Sequence, residues 1–222
     1  MLRSPTPRPA RLLAAFAVLA ALGALQCTSA SAATDTTQFS VTAGTLSLGT
    51  APDVPTLPAL TLNGQLQTLN AAMNNYSVSD ATGSGAGWNV TVNGDSSGGK
   101  SAVFKQYCPN ATCGTDSGPG YVTGGATLAA NSLTLSSTGA SFSALNGTTG
   151  TAPTHSCGSS CNVDSASAVR TVSAATSAGM GTYQTSGYGA SSLALSAPTT
   201  IKALQTNEVY RLDLLWSLNS GP

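Results

Sequence analysis

Charged side chains are scarce in this 222-residue chain, in which Asp, Glu, Lys and Arg together make up 7% of the residues. Eight basic and eight acidic residues cancel to a formal net charge of zero. Three of the basic residues, Arg3, Arg8 and Arg11, lie near the start of the chain. The rest therefore has no basic patch, which excludes nucleic acid and an anionic membrane surface as expected partners.

Groups that could act as catalysts are equally few. The chain contains a single histidine, His155, in a segment rich in Gly, Ser and Cys, and any Ser-His-Asp triad would depend on it. Asp80 and Asp95 flank the first tryptophan, but isolated Asp residues at strand ends usually form turns. We therefore expect no enzymatic activity, no metal and no cofactor. Glycan hydrolysis by paired carboxylates is the enzymatic alternative.

Only one long apolar run is present, from Leu12 to Leu25, and it follows the three arginines. The small residues Ala30-Ser31-Ala32 then match the positions that signal peptidase reads. This pattern predicts a signal peptide over residues 1–32, export of the remainder, and no membrane span after cleavage. Lipid attachment at Cys27 is the alternative, although Gln26 stands where that signal requires a small residue.

Four cysteines follow the predicted cleavage site: Cys108, Cys113, Cys157 and Cys161. An even number of cysteines in an exported chain indicates disulfides, and the close spacings favour Cys108–Cys113 and Cys157–Cys161. The crossed pairings remain open. A metal site that joins Cys157 and Cys161 to His155, with Cys108 or Cys113 as the fourth ligand, is the alternative, which an oxidising compartment disfavours.

Strand patterns fill the rest of the chain. Residues 33–222, about 190 in number, are enough for one domain with a real core. Alternating residues predict a hairpin of Tyr76–Asp80 with Trp88–Val92 and one long final strand over Glu208–Leu218. Turn signals recur about every ten residues. Together they predict an all-β fold: a single β-sandwich-like domain with short strands and long Gly-, Ser- and Thr-rich loops.

Both tryptophans belong to Trp-x-aliphatic triplets, Trp88-Asn89-Val90 and Trp216-Ser217-Leu218. Side chains at positions i and i+2 of a strand share a face, so each triplet places an indole beside an aliphatic group. Two interpretations are open. Either the rings fill the core, or they form an exposed apolar platform for sugar rings or peptide stems. We also expect the two triplets to lie on adjacent strands, with Trp88 and Trp216 in contact range as one cluster.

The segments Val78–Val92 and Tyr210–Leu218 resemble the WxL domain of Gram-positive surface proteins. The first contains Asp80 and a glycine-rich approach to its tryptophan triplet, and the second ends in Trp216-Ser217-Leu218. Val90 stands where the family usually has leucine. The segments that carry the cysteines have no counterpart in the family pattern.

The resemblance implies a WxL-like all-β domain over residues 33–222, secreted to the cell surface and held on the cell wall without a covalent bond. The implied ligand is peptidoglycan or another wall glycan, and other surface proteins are further implied partners. The residues that would bind it are Trp88, Val90, Trp216 and Leu218. The alternative function is a structural or adhesive surface subunit that assembles with another exported protein.

Overall fold

The computed structural model describes residues 36–222. Within this range there is no helix, and all regular structure is β-strand, so the all-β prediction is confirmed. A compact unit spans Thr42–Pro222 and contains every strand. The predicted signal peptide, residues 1–32, lies outside the described range and stays a prediction. No helix among the described residues is long and apolar enough to cross a membrane.

The strands are short, and most hold two to six residues. In chain order they are β1 (Leu46–Thr50), β2 (Gln67–Ala71), β3 (Ser77–Asp80), β4 (Trp88–Gly94), β5 (Lys105–Cys108), β6 (Thr112–Cys113), β7 (Asp116–Ser117), β8 (Gly120–Tyr121), β9 (Leu133–Leu135), β10 (Ser141–Leu145), β11 (Thr154–His155), β12 (Cys161–Asn162), β13 (Val169–Ala174), β14 (Gly181–Ser186), β15 (Leu193–Ala197), β16 (Val209–Arg211) and β17 (Leu214–Ser220).

Three four-stranded antiparallel sheets form most of the structure, with strand orders β1-β3-β14-β10, β11-β13-β4-β17 and β12-β9-β15-β2. A three-stranded sheet, β16-β5-β8, and the two-stranded β6-β7 complete it. We call β11-β13-β4-β17 the tryptophan sheet, because it contains both tryptophans. Neighbouring strands are mostly distant in sequence, so tertiary pairing determines the arrangement.

One apolar core is shared by the three four-stranded sheets. Strands from each of them contribute buried aliphatic or aromatic side chains to this core. Its largest fully buried members are Trp88, Tyr76, Leu133, Leu135, Leu193, Val78, Val90, Val92, Val163 and Val172. Burial of such apolar area is the main favourable term in the folding free energy, and here it occurs with very few charges.

The predicted hairpin of β3 with β4 is wrong. Strand β3 pairs with β1 and β14, whereas β4 pairs with β13 and β17. Residues 81–87 connect them, and Gly83, Gly85 and Gly87 all have positive φ. Two-residue turns favour hairpins, but this longer glycine-rich loop carries the chain from one sheet to another.

The predicted final strand is interrupted. Val209–Arg211 forms β16 and pairs with β5, whereas Leu214–Ser220 forms β17 and pairs with β4. The break lies next to Asp213, whose N–H donates to the carbonyl of Ser101 and whose carbonyl accepts from the amide of Asp95, so the ladder of β16 with β5 ends before this residue. The expectation that the two tryptophan triplets lie on adjacent strands is confirmed, because β17 pairs with β4 along its whole length.

Both favoured disulfides are present. The sulfur atoms of Cys108 and Cys113 are 2.06 Å apart, and those of Cys157 and Cys161 are 1.95 Å apart. Each bridge closes a small loop, so each stabilises the fold locally by limiting the unfolded chain. Since all four thiols are consumed, the alternative metal site of Cys157 and Cys161 with His155 is not compatible with this structure.

Candidate functional site

Trp88 is a core residue. Its side chain is 0% exposed, and its indole Nε1 donates a hydrogen bond to the carbonyl of Gly179 at 3.1 Å. The neighbouring Val90 of the same triplet is also 0% exposed. Neither side chain reaches solvent, so in this structure both are part of the scaffold and cannot contact a ligand.

Trp216 has a different environment, although it lies on the same face of the tryptophan sheet. It is opposite Val92 in the register, four residues along β4 from Trp88, which corresponds to about 13 Å of strand. The two tryptophans are therefore not cross-strand partners, and the ring that packs on Trp216 is that of Tyr76 and not that of Trp88. The side chain of Trp216 is half-buried, and its ring packs against Tyr76 with centroids 5.9 Å apart. One side of this indole therefore supports the core while the rest remains accessible.

The other residues of the second triplet are partly accessible too. Leu218 is half-buried and lies opposite Val90, and Ser217 is half-buried opposite Thr91. The middle residue of the first triplet, Asn89, is buried, and its side-chain amide donates a hydrogen bond to the carbonyl of Gly221 at 2.8 Å. Of the four predicted site residues, only Trp216 and Leu218 keep any exposure.

A large groove of about 980 Å³ opens beside Trp216. It is lined by the proline-rich segment 52–62 and by residues of β16, β17 and the link between these two strands. Most of its lining is apolar, and it includes Phe104, Tyr107, Leu128, Ile201, Tyr210, Leu212, Leu214 and Trp216. An apolar groove with a few polar groups at its rim is the usual form of a ligand site.

Arg211 is fixed at the rim of this groove by two neighbours. Its guanidinium lies over the ring of Tyr107, 4.6 Å from the centroid, and bonds to Asp213 at 2.9 Å. Burial alone would raise the pKa of Asp213, but hydrogen bonds from Tyr121, Ser101 and Arg211 bring this pKa below its usual value. Asp213 therefore stays anionic and holds Arg211 in place.

Two carboxylates near the groove interact with each other. Glu208 accepts hydrogen bonds from Gln106 and Gln205, and the first of these contributes most to lowering its pKa. The hydrogen bond with Glu208 raises the pKa of Asp116. Within residues 36–222 no group of three or more His, Cys, Asp or Glu side chains could hold a metal ion.

His155 lies outside the groove, in an aromatic setting. Its ring stacks on Phe142 with centroids 4.4 Å apart and meets the ring of Tyr188 edge-on at 5.6 Å. Both ring nitrogens are buried and lack a hydrogen-bond partner. Burial lowers the pKa of this imidazole, and the nearby backbone of Ser141 offsets only part of the effect. The histidine is thus a packing residue.

This environment makes stability sensitive to mild acid. Because the pKa of His155 is lower in the folded state, the unfolded chain takes up the proton first as the pH falls below about 6.5. The free energy of unfolding should therefore decrease between about pH 7.5 and about pH 5.5. In a His155→Phe variant this part of the pH dependence should disappear. Urea unfolding at both pH values measures it, and equal slopes in the two proteins would contradict the assignment.

Sequence patterns identified the tryptophans but not their neighbours in the groove. Nothing in the spacing of Tyr107 or of the proline-rich segment 52–62 relates these residues to Trp216, so a single sequence does not indicate them. No family model matches this chain, and comparisons with curated proteins and with solved structures also gave no match.

Proposed function

We propose that this protein is an exported surface module that binds the bacterial cell wall non-covalently, in the manner of WxL domains, with the groove beside Trp216 as its ligand site. The observation that carries the proposal is the difference in solvent exposure between the two tryptophans. Trp88 is sealed in the core, whereas Trp216 presents part of its indole to an apolar groove of about 980 Å³. A monomeric domain rarely leaves such an apolar surface without a use.

The chemistry of the groove suits a wall glycan and its peptide stems. The faces of sugar rings carry C–H groups that pack on aromatic rings, and Trp216 and Tyr210 both line the groove. Arg211 and Lys202 at the lining provide cations for carboxylates, and Gln205 provides an amide for hydroxyl or acetamido groups. This mixture of apolar platform and neutral or paired polar groups matches an amphipathic polymer better than a nucleic acid.

Three further features support export. Both disulfides are closed, which is typical of proteins that fold in an oxidising compartment. The signal-peptide pattern over residues 1–32 and the resemblance of both tryptophan segments to WxL domains agree with the same location.

Co-sedimentation with purified cell walls tests the proposal. The wild-type protein should sediment with the walls, and a Trp216→Leu/Tyr210→Leu variant should bind about tenfold or more weakly, because buried aromatic anchors dominate binding energy. Phe142→Leu is the matched control, since Phe142 is a half-buried aromatic outside the groove. Trp88 is left intact, because it is buried in the core and does not line the groove.

Unfolding curves establish that each variant is folded before its binding is compared. The proposal is rejected if the folded wild-type protein stays in the supernatant. It is also rejected if the groove variant sediments as well as the Phe142→Leu control does.

A further inference from the structure

Strand β17 forms an edge of the tryptophan sheet. Among residues 36–222 it pairs only with β4, and β1, which lies near it, pairs with β3 instead. Edge strands of natural proteins are usually short or carry lysine, proline or a bulge, which prevents pairing with other chains. The sequence of β17, Leu-Leu-Trp-Ser-Leu-Asn-Ser, has none of these protections and is one of the two longest strands described.

The hydrogen bonds at the two ends of β17 show which of its backbone groups do not bond to β4. Asp213 accepts a bond from the amide of Asp95, and the amide of Gly221 donates to the carbonyl of Gly87. Bonding residues alternate along an antiparallel pair, so the odd-numbered residues of β17 bond toward β4. The N–H and C=O groups of the even-numbered residues therefore point away from the sheet. These are Leu214, Trp216, Leu218 and Ser220.

We infer that this edge is a self-association site, at which β17 of one copy pairs antiparallel with β17 of a second copy. In the register of full overlap, Ser217 of one copy lies directly opposite Ser217 of the other. Trp216 then lies opposite Leu218 of the partner, and Leu214 lies opposite Ser220. Every outward-pointing residue meets another outward-pointing residue, as an isologous twofold interface requires.

Side-chain chemistry favours a second copy as the occupant. The strand is uncharged, so its own twofold copy brings no like charges together. On the face with Trp216, indole meets leucine, and cross-strand pairs of aromatic and aliphatic side chains are favourable. On the opposite face, Leu215 is 46% exposed and would be partly covered by the added strand.

Sedimentation velocity of the purified protein tests the inference without any wall material, so its failure is separate from failure of wall binding. A single strand pair buries less area than a standard interface. We therefore expect a weak dimer whose fraction increases with protein concentration up to about 500 µM. In the proposed register the two Ser217 residues are directly opposite each other. Ser217→Lys or Ser217→Glu should each raise the dissociation constant about tenfold or more, because like charges then face one another.

A mixture of the Ser217→Lys and Ser217→Glu proteins is the decisive experiment, because opposite charges then face each other across the twofold axis of the dimer. At the same total concentration, the mixture should form more dimer than either variant forms alone. Leu66→Lys is the control, since Leu66 is 65% exposed, apolar and outside β17, and it should leave association unchanged. A wild-type monomer at the highest concentration overturns the inference, and so does a mixture that associates no better than its separate components.

Discussion

Replacing Trp88 by alanine should lower the free energy of unfolding by about 4 kcal/mol, which is a large share of the stability of a typical domain. The change removes the largest fully buried side chain and leaves a cavity where β4 meets the rest of the core. It also leaves the carbonyl of Gly179 without its indole donor. Urea or thermal unfolding of the two proteins measures the difference.

Trp216→Ala is the internal control, because Trp216 occupies the same sheet face but is only half-buried. Its unfolding free energy should fall by roughly 2 kcal/mol, since less apolar area is lost from the core. Similar losses for the two variants would contradict the division into one scaffold tryptophan and one site tryptophan.

Gly179→Ala should be the second strongly destabilising change, with a loss of about 3 kcal/mol or more in unfolding free energy. Gly179 has a φ of +72°, which side chains other than glycine rarely adopt. A Cβ atom there would lie 2.5 Å from the Cβ of Ala174 and 2.6 Å from Nε1 of Trp88. The substitution therefore adds a steric clash against the buried indole to the backbone strain.

Gly83→Ala separates these two contributions. Gly83 has a similar φ of +67°, but no atom lies within 4 Å of the place that a Cβ would take. Its loss should be about 1 kcal/mol, from backbone conformation alone. Equal losses at the two glycines, measured by the same urea unfolding, would show that contact with Trp88 does not matter.

Local patterns predicted much of the fold. The alternation in Trp88–Val92 predicted a correct strand, because side-chain periodicity reflects which face is buried. In the final segment it predicted strand structure but missed the break between β16 and β17. The close cysteine spacings gave the correct disulfides. The pairing of β3 was mispredicted, because a glycine-rich loop permits either a hairpin or a crossing between sheets. Only long-range contacts, such as that of β14 with β3, decide between them.

The candidate site was only half predictable. Two similar triplets differ in exposure because Trp88 is in a central strand and Trp216 is in an edge strand beside a groove. Strand order depends on tertiary pairing, which a single sequence does not reveal. Residues 52–62 of the groove lining are more than a hundred residues from Trp216 in sequence, and the prolines of this segment predict only an extended or loop conformation.

Fluorescence of a Trp88→Phe variant, in which Trp216 is the only remaining indole, tests the central claim most directly. Titration with soluble peptidoglycan fragments should shift the Trp216 emission and protect it from acrylamide quenching, with saturation as the groove fills. The reciprocal Trp216→Phe protein, which reports on buried Trp88, should show no change. A folded Trp88→Phe variant whose emission and quenching are unaffected by the fragments would contradict the assignment of the groove as the wall-binding site.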